Sequence, residues 1–154
     1  MWTIAGLPVH PLIIHAVVIF VPLAALSGMA AALWKWGRDR YGVLVLAAGL
    51  IAVVCTYLAR VSGQQLYDSL PAHSPQMDLH MSIADPLIYW VLGLFAGLVV
   101  MAIAWLARRR AGDTAPTWMR VLHWIGAVLT WGFGIASLIV VVRAGDAGAR
   151  AVWG

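Results

Sequence analysis

The stretch Leu7-Pro8-Val9-His10-Pro11-Leu12-Ile13-Ile14-His15 opens an apolar run that continues without a charge to Trp34. A helix needs roughly 20 apolar residues to cross a bilayer, so this run reads as a membrane span and sets the class of the whole chain. Three more runs of the same kind follow, and the spans are predicted at 12–34, 41–61, 86–107 and 121–142. Only 10% of the 154 residues are charged, against about 25% in a soluble domain. The mean hydropathy of +0.89 agrees. The expected fold is all-α, a single four-span domain. With short connections, an up-down four-helix bundle is the economical arrangement.

The first span is too long for a cleaved signal peptide, has no basic residue before it and runs straight into Trp34-Lys35-Trp36. It reads as an uncleaved anchor. Orientation follows from the loops. Lys35, Arg38 and Arg40 follow the first span, and Arg108, Arg109, Arg110 and Arg120 separate the third from the fourth. The positive-inside rule then puts both termini outside, with two short cytoplasmic loops and a longer external loop over 62–85. The expected location is the bacterial cytoplasmic (inner) membrane. Trp2, Trp90, Trp153 and Tyr67 at the outer face, and Trp34, Trp36, Trp105, Trp118 and Trp124 at the inner one, suit the two aromatic belts. The pI near 9.8 is accounted for by this topology, so no nucleic-acid partner is implied. The lipid bilayer is the first partner.

Within the spans, Gly93 and Gly97 form a GxxxG, and Gly126, Gly132 and Gly134 recur on the fourth span, offering seams for close packing. Pro22 is expected to kink the first span and free the carbonyl of Val18, seven residues below His15. Cys55 is the single cysteine, which excludes an intrachain disulfide and a cysteine metal cluster.

The histidines carry the chemistry. Imidazole is costly to bury in hydrocarbon, so a histidine at a span marks a functional site by default. The topology puts His10, His15, His73 and His80 on the outer side and His123 alone on the inner side. Pro11 suits the first helical position, which makes His10 a cap-like residue and sets His15 about one turn inside the helix. His80 falls at the start of the third span, and spans one and three can face each other across a four-helix core. His73, between Pro71 and Pro75, reads as a solvated loop residue, and His123, beside Trp124, as an interfacial anchor.

The block from Leu7 to Val18, followed by Val21-Pro22-Leu23, resembles the start of the bacterial membrane family DUF2231. Ser62-Gly63-Gln64-Gln65-Leu66 is similar to the family's Ser-Gly-acid-x-Leu step, and Leu79-His80 to its histidine at the start of the third helix. The likeness covers about residues 5 to 107, and the fourth span by arrangement only. Two departures stand out: Gln64 replaces a common Glu, and Leu79 and Met81 flank His80 where acids are common. If acids orient the imidazoles, Asp78 or Asp85 must serve. Related domains joined to Rieske or cytochrome c-type domains imply a redox role.

The residues permit that role. Two neutral imidazoles from facing helices can ligate haem b axially in an apolar bundle. His15 and His80 are the expected axial pair, with His10 and Gln64 as supporting donors to a propionate or ring edge. Such a protein would pass electrons near the outer face, to or from a quinone in the membrane or a redox protein outside it. It would act as a subunit or partner of a respiratory complex, or as a homo-oligomer. The alternative is copper or zinc on His10, His15 and His80, for metal handling or assembly. A third reading is an accessory subunit without cofactor. No Ser-His-Asp set, phosphate loop or paired carboxylate supports a hydrolase or kinase, and no acid lies mid-span to relay protons.

Overall fold

Apolar runs have one good solution in lipid, the helix, because it satisfies every backbone polar group internally. The computed structural model describes residues 3–4, 6–114 and 116–153 and obeys that rule throughout. Trp2, placed above in the outer aromatic belt, lies outside the described residues. A two-residue hairpin comes first, β1 (Thr3–Ile4) against β2 (Leu7–Pro8), turned by Gly6 at φ 81°. The helices follow: α1 (Val9–Leu33), α2 (Lys35–Asp68), α3 (Pro75–Ala84), α4 (Leu87–Ala111) and α5 (Thr117–Trp153). Four helical segments are long and apolar enough to cross a membrane, with α3 and α4 forming one of them.

Each break has a local cause. Trp34 is extended (φ −104°, ψ 98°), which separates α1 from α2. Ser74 caps α3 by accepting from the Met77 N–H at 3.3 Å, and Pro75 takes the first helical position, where no donor is needed. Pro86 interrupts the run between α3 and α4, because it has no N–H to continue the ladder. Gly112, at φ 58°, ends α4 in a conformation that side chains disfavour. Pro22 does not end α1, which runs through it in one piece.

The helices form a square. α1 packs on α2 and α5, and α4 packs on α5 and α2, while α1 and α4 sit on a diagonal and barely touch. The tightest seam is α4 with α5. A Cβ on Gly97 would stand 2.7 Å from the Thr130 backbone nitrogen, and one on Gly126 would stand 2.9 Å from the Gly97 carbonyl. The Gly93–Gly97 pair therefore does lie in a helix contact, of the small-residue kind that membrane helices use. The shared core is narrow: Val21, Ala24 and Ala25 meet Ala48, Ala52, Val91 and Leu94. Large apolar side chains such as Leu44, Ile103 and Val128 face outward instead, as a lipid-covered surface requires.

Three expectations change. The external loop predicted at 62–85 is mostly helix, since α2 continues to Asp68 and α3 begins at Pro75. Likewise α5 continues past 142 to Trp153. Hydropathy stops at the membrane interface, but helix propensity does not, and Gln64, Gln65 and Leu66 are all good helix formers. His10 also lies inside α1 rather than capping it, so its direction is set by the helix. The start of α1, the ends of α2 and α5, and all of α3 thus gather at one end of the bundle. Both termini are at this end, called here the terminal end. The other, between Leu33 and Lys35 and around Arg108, is the basic end.

Candidate functional site

The gathered helix ends enclose a cavity of about 410 Å³, within the range of about 300–1,000 Å³ typical of small-molecule sites. Ile14 and Val17 of α1, Leu66 of α2, Leu87 of α4 and Val141 of α5 give it apolar walls. Set into those walls are two imidazoles, His10 from α1 and His80 from α3.

Their hydrogen bonds fix which ring nitrogen carries the hydrogen. His10 Nδ1 lies 3.0 Å from the carbonyl oxygen of Ala59 on α2. A carbonyl can only accept, so Nδ1 carries the hydrogen and the neutral ring keeps its lone pair on Nε2. The Ser62 hydroxyl stands 3.2 Å from the same Nδ1 and donates to the same carbonyl at 3.2 Å. His80 repeats the arrangement, with Nδ1 at 3.0 Å from the carbonyl of Ala144 on α5. Among the described residues, no hydrogen bond reaches either Nε2. Each ring also lies on a glycine. A Cβ on Gly63 would be 2.7 Å from the His10 ring, and one on Gly148 would be 3.1 Å from the His80 ring.

One further polar atom belongs to the cavity wall. Thr56, only 3% exposed, has a hydroxyl oxygen with no hydrogen-bond partner among the described residues. A buried hydroxyl left unpaired costs about 1–3 kcal/mol, so it is a group waiting for a partner. At the rim, Arg60 pairs with Asp85 through two bonds of 2.7 and 3.2 Å. The Tyr67 hydroxyl donates to Asp78, and His73 stacks on the Tyr67 ring with centroids 3.7 Å apart. His73 also donates from Nε2 to the Tyr67 carbonyl at 2.9 Å. These contacts tie the 69–74 connection to the end of α2, and α2 to α3.

The other candidates lie elsewhere. His15 is exposed, its Nδ1 bonded to the Pro11 carbonyl of its own helix at 2.7 Å, and it is not part of the cavity wall. The reason is rotation: five residues turn a helix by about 500°, which leaves the His10 and His15 side chains about 140° apart. Gln64 is exposed and donates to Asp68 at 2.8 Å. Asp78 and Asp85 hold Tyr67 and Arg60 rather than imidazoles, and the orienting role falls to the Ala59 and Ala144 carbonyls. His123 is no interfacial anchor. It is buried, with Nε2 3.1 Å from the Ala32 carbonyl at the end of α1. Among the described residues, no three His, Cys, Asp or Glu side chains gather as a metal-binding group.

Sequence reasoning missed Thr56, Gly63 and Gly148. For the histidines the signal was present in helical spacing. His10 shares its face with Ile14, Val17 and Val21, which turn inward, whereas His15 shares its face with Leu12, Ile19 and Leu26, which are 62%, 60% and 57% exposed.

Fold and site together define a multi-pass membrane helical bundle that carries a paired-imidazole cavity at one end. The chain belongs to the DUF2231 family, described as predicted membrane proteins, which matches residues 6–154. The match thus takes in α5, the helix that supplies Ala144 and Gly148. Comparison with curated proteins and with solved structures finds no match. Within the resemblance noted above, the Ser-Gly step acquires a physical meaning: Ser62 and Gly63 are the seat of the His10 ring.

Proposed function

We propose that this protein binds haem b at the terminal end of the bundle and transfers electrons there, with His10 and His80 as the residues that would hold it. One observation carries the reading. Two imidazoles, one from α1 and one from α3, hold their Nδ1–H on backbone carbonyls and line one largely apolar cavity, with no hydrogen bond on either Nε2 among the described residues. A ligating histidine almost always donates its other N–H in this way, which fixes the ring and raises its basicity. The donor set therefore suits the group. When bound, haem would supply one-electron Fe(III)/Fe(II) exchange. The chain's own residues do the rest: α2 and α5 orient the rings, the aliphatic walls exclude water, and Arg60 puts a cation at the rim for an acidic substituent. His15 and Gln64 have no part in this version of the site. A quinone in the membrane or a redox protein outside it is the matching partner, with the chain as a respiratory subunit or homo-oligomer.

A specific observation favours copper(I) as the second reading. Met77 and Met81 line the same cavity as the two histidines, and thioether with imidazole is a donor set that selects Cu(I). Zinc would want a third and fourth ligand, and no three His, Cys, Asp or Glu side chains gather among the described residues.

The test is the visible spectrum and metal content of the purified protein, expressed with haem supplied. A Soret band that shifts on dithionite, with a low-spin alpha band, is expected. A colourless protein carrying one copper would move the assignment to Cu(I), and one with neither group would leave an accessory subunit. The basic loops support N-out and C-out placement in the bacterial inner membrane. In a Cys55→Ser background, Ala72→Cys should react with an impermeant thiol reagent in whole cells, and Arg110→Cys should not. The reverse pattern would put the cavity on the cytoplasmic side.

A further inference from the structure

At the basic end, a second cavity of about 270 Å³ opens between α2 and α4. Val43, Leu46, Val99 and Leu106 are among the aliphatic side chains along it, and Arg38 and Trp105 also line it. Arg38 is half-buried, with the Asp39 carboxylate as its neighbour in the chain. One of its terminal nitrogens donates to the carbonyls of Ala31 and Ala32 at 2.8 and 3.4 Å. The guanidinium has further N–H donors, and among the described residues no carboxylate bridges to it. The neighbouring Asp39 is held by Lys35 Nζ at 3.1 Å and by Trp105 Nε1 at 2.7 Å. Arg108, Arg109 and Arg110 make a basic last turn of α4 at this same end. The Arg109 guanidinium lies over the Trp105 ring, 4.9 Å from its centroid.

A cation drawn into an apolar wall at the same end as a run of further cations is expensive unless an anion joins them. We propose that the α2–α4 groove is a binding site for an anionic phospholipid, its phosphate between Arg38 and Arg108 and one acyl chain along the groove. Charge and shape point to the same occupant, because only an anion joined to a hydrocarbon chain satisfies both parts of the groove. Basic pockets between membrane helices recognise acidic headgroups on these grounds. A zwitterionic lipid would bring its own cation to a site that already has several. The site is separate from the histidine cavity and stands whether or not that cavity binds haem.

The full-length protein, stripped of lipid in detergent, would be offered equal amounts of phosphatidylglycerol and phosphatidylcholine and examined by native mass spectrometry. Phosphatidylglycerol should be retained in preference, and millimolar inorganic phosphate should not displace it. Arg38 also caps α1, so the variants are chosen elsewhere. Arg108→Gln should weaken retention about fivefold, the usual effect of one basic residue on an anionic lipid. Gly42→Leu should also abolish retention by filling the groove. Gly42 lies in the groove wall and has no contact closer than 3.9 Å to an added Cβ, so the helix should accept the change. Equal retention of the two lipids overturns the proposal, as does displacement by phosphate alone. A loss confined to Arg108→Gln, with Gly42→Leu unaffected, also overturns it, since that marks surface attraction without a seated chain.

Discussion

At the terminal end, His10 and His80 each give one N–H to a carbonyl of a neighbouring helix, leave the other nitrogen without a hydrogen bond among the described residues, and line a cavity. At the basic end, His123 gives its Nε2–H to Ala32 and is sealed in at 6% exposure. Ala32 is in the last turn of α1, whose final carbonyls have no partner within the helix. Arg38 reaches the same turn through the Ala31 and Ala32 carbonyls. His123 therefore completes a helix end, while His10 and His80 hold themselves in place and keep a nitrogen in reserve. All three bonds are imidazole to carbonyl. What separates them is which nitrogen makes the bond and what the remaining edge of the ring faces. The two ends are about 33 Å apart, measured along α1 from His10 to Ala32.

The largest expected effect breaks the comparison at the terminal end. His10→Ala or His80→Ala should each abolish the bis-imidazole spectrum of the haem-loaded protein, because an axial nitrogen is lost. His15→Ala should leave that spectrum unchanged. If His15→Ala bleaches the protein and His10→Ala does not, α1 is rotated from the orientation described here.

Next in size are the glycines beneath the rings. Gly63→Val and Gly148→Val leave every ligand in place but displace the imidazoles that lie on them. Titration with haem should show affinity reduced by about 10–100-fold, the range seen when a ligand's support is disturbed. Gly63→Val should be the more severe, since its Cβ would approach the ring to 2.7 Å against 3.1 Å at Gly148.

His123→Ala tests the basic end. It should cost about 1–3 kcal/mol of stability by leaving a buried carbonyl short of a donor, read as a lower denaturation midpoint. The spectrum should be untouched, and a spectral change would mean that the two ends are coupled. The smallest effect concerns Thr56. Thr56→Val removes an unpaired buried hydroxyl and should stabilise the ligand-free protein by about 1 kcal/mol. A loss of stability instead would reveal that the hydroxyl already has a partner.

The apolar runs by themselves determined the class, the number of spans and the antiparallel order, because lipid leaves a long hydrophobic segment no alternative to the helix. They also pointed to His10, His15 and His80, with His15 and His80 as the expected pair, since imidazole near a span has to be explained. Where the helices would end was not readable from hydropathy. Residues 62–68 and 143–153 are polar enough to leave the membrane and yet remain helical, and their continuation is what walls the cavity. The choice of His10 over His15 was half legible. Helical spacing put them on different faces, but which face turns inward depends on how α1 packs against α2 and α5. The orienting partners were beyond the sequence altogether. Ala59 and Ala144 act through backbone carbonyls, which every residue carries, and Gly63 and Gly148 act by the side chain they lack. Only the packing of helices far apart in sequence could set those groups against a particular ring.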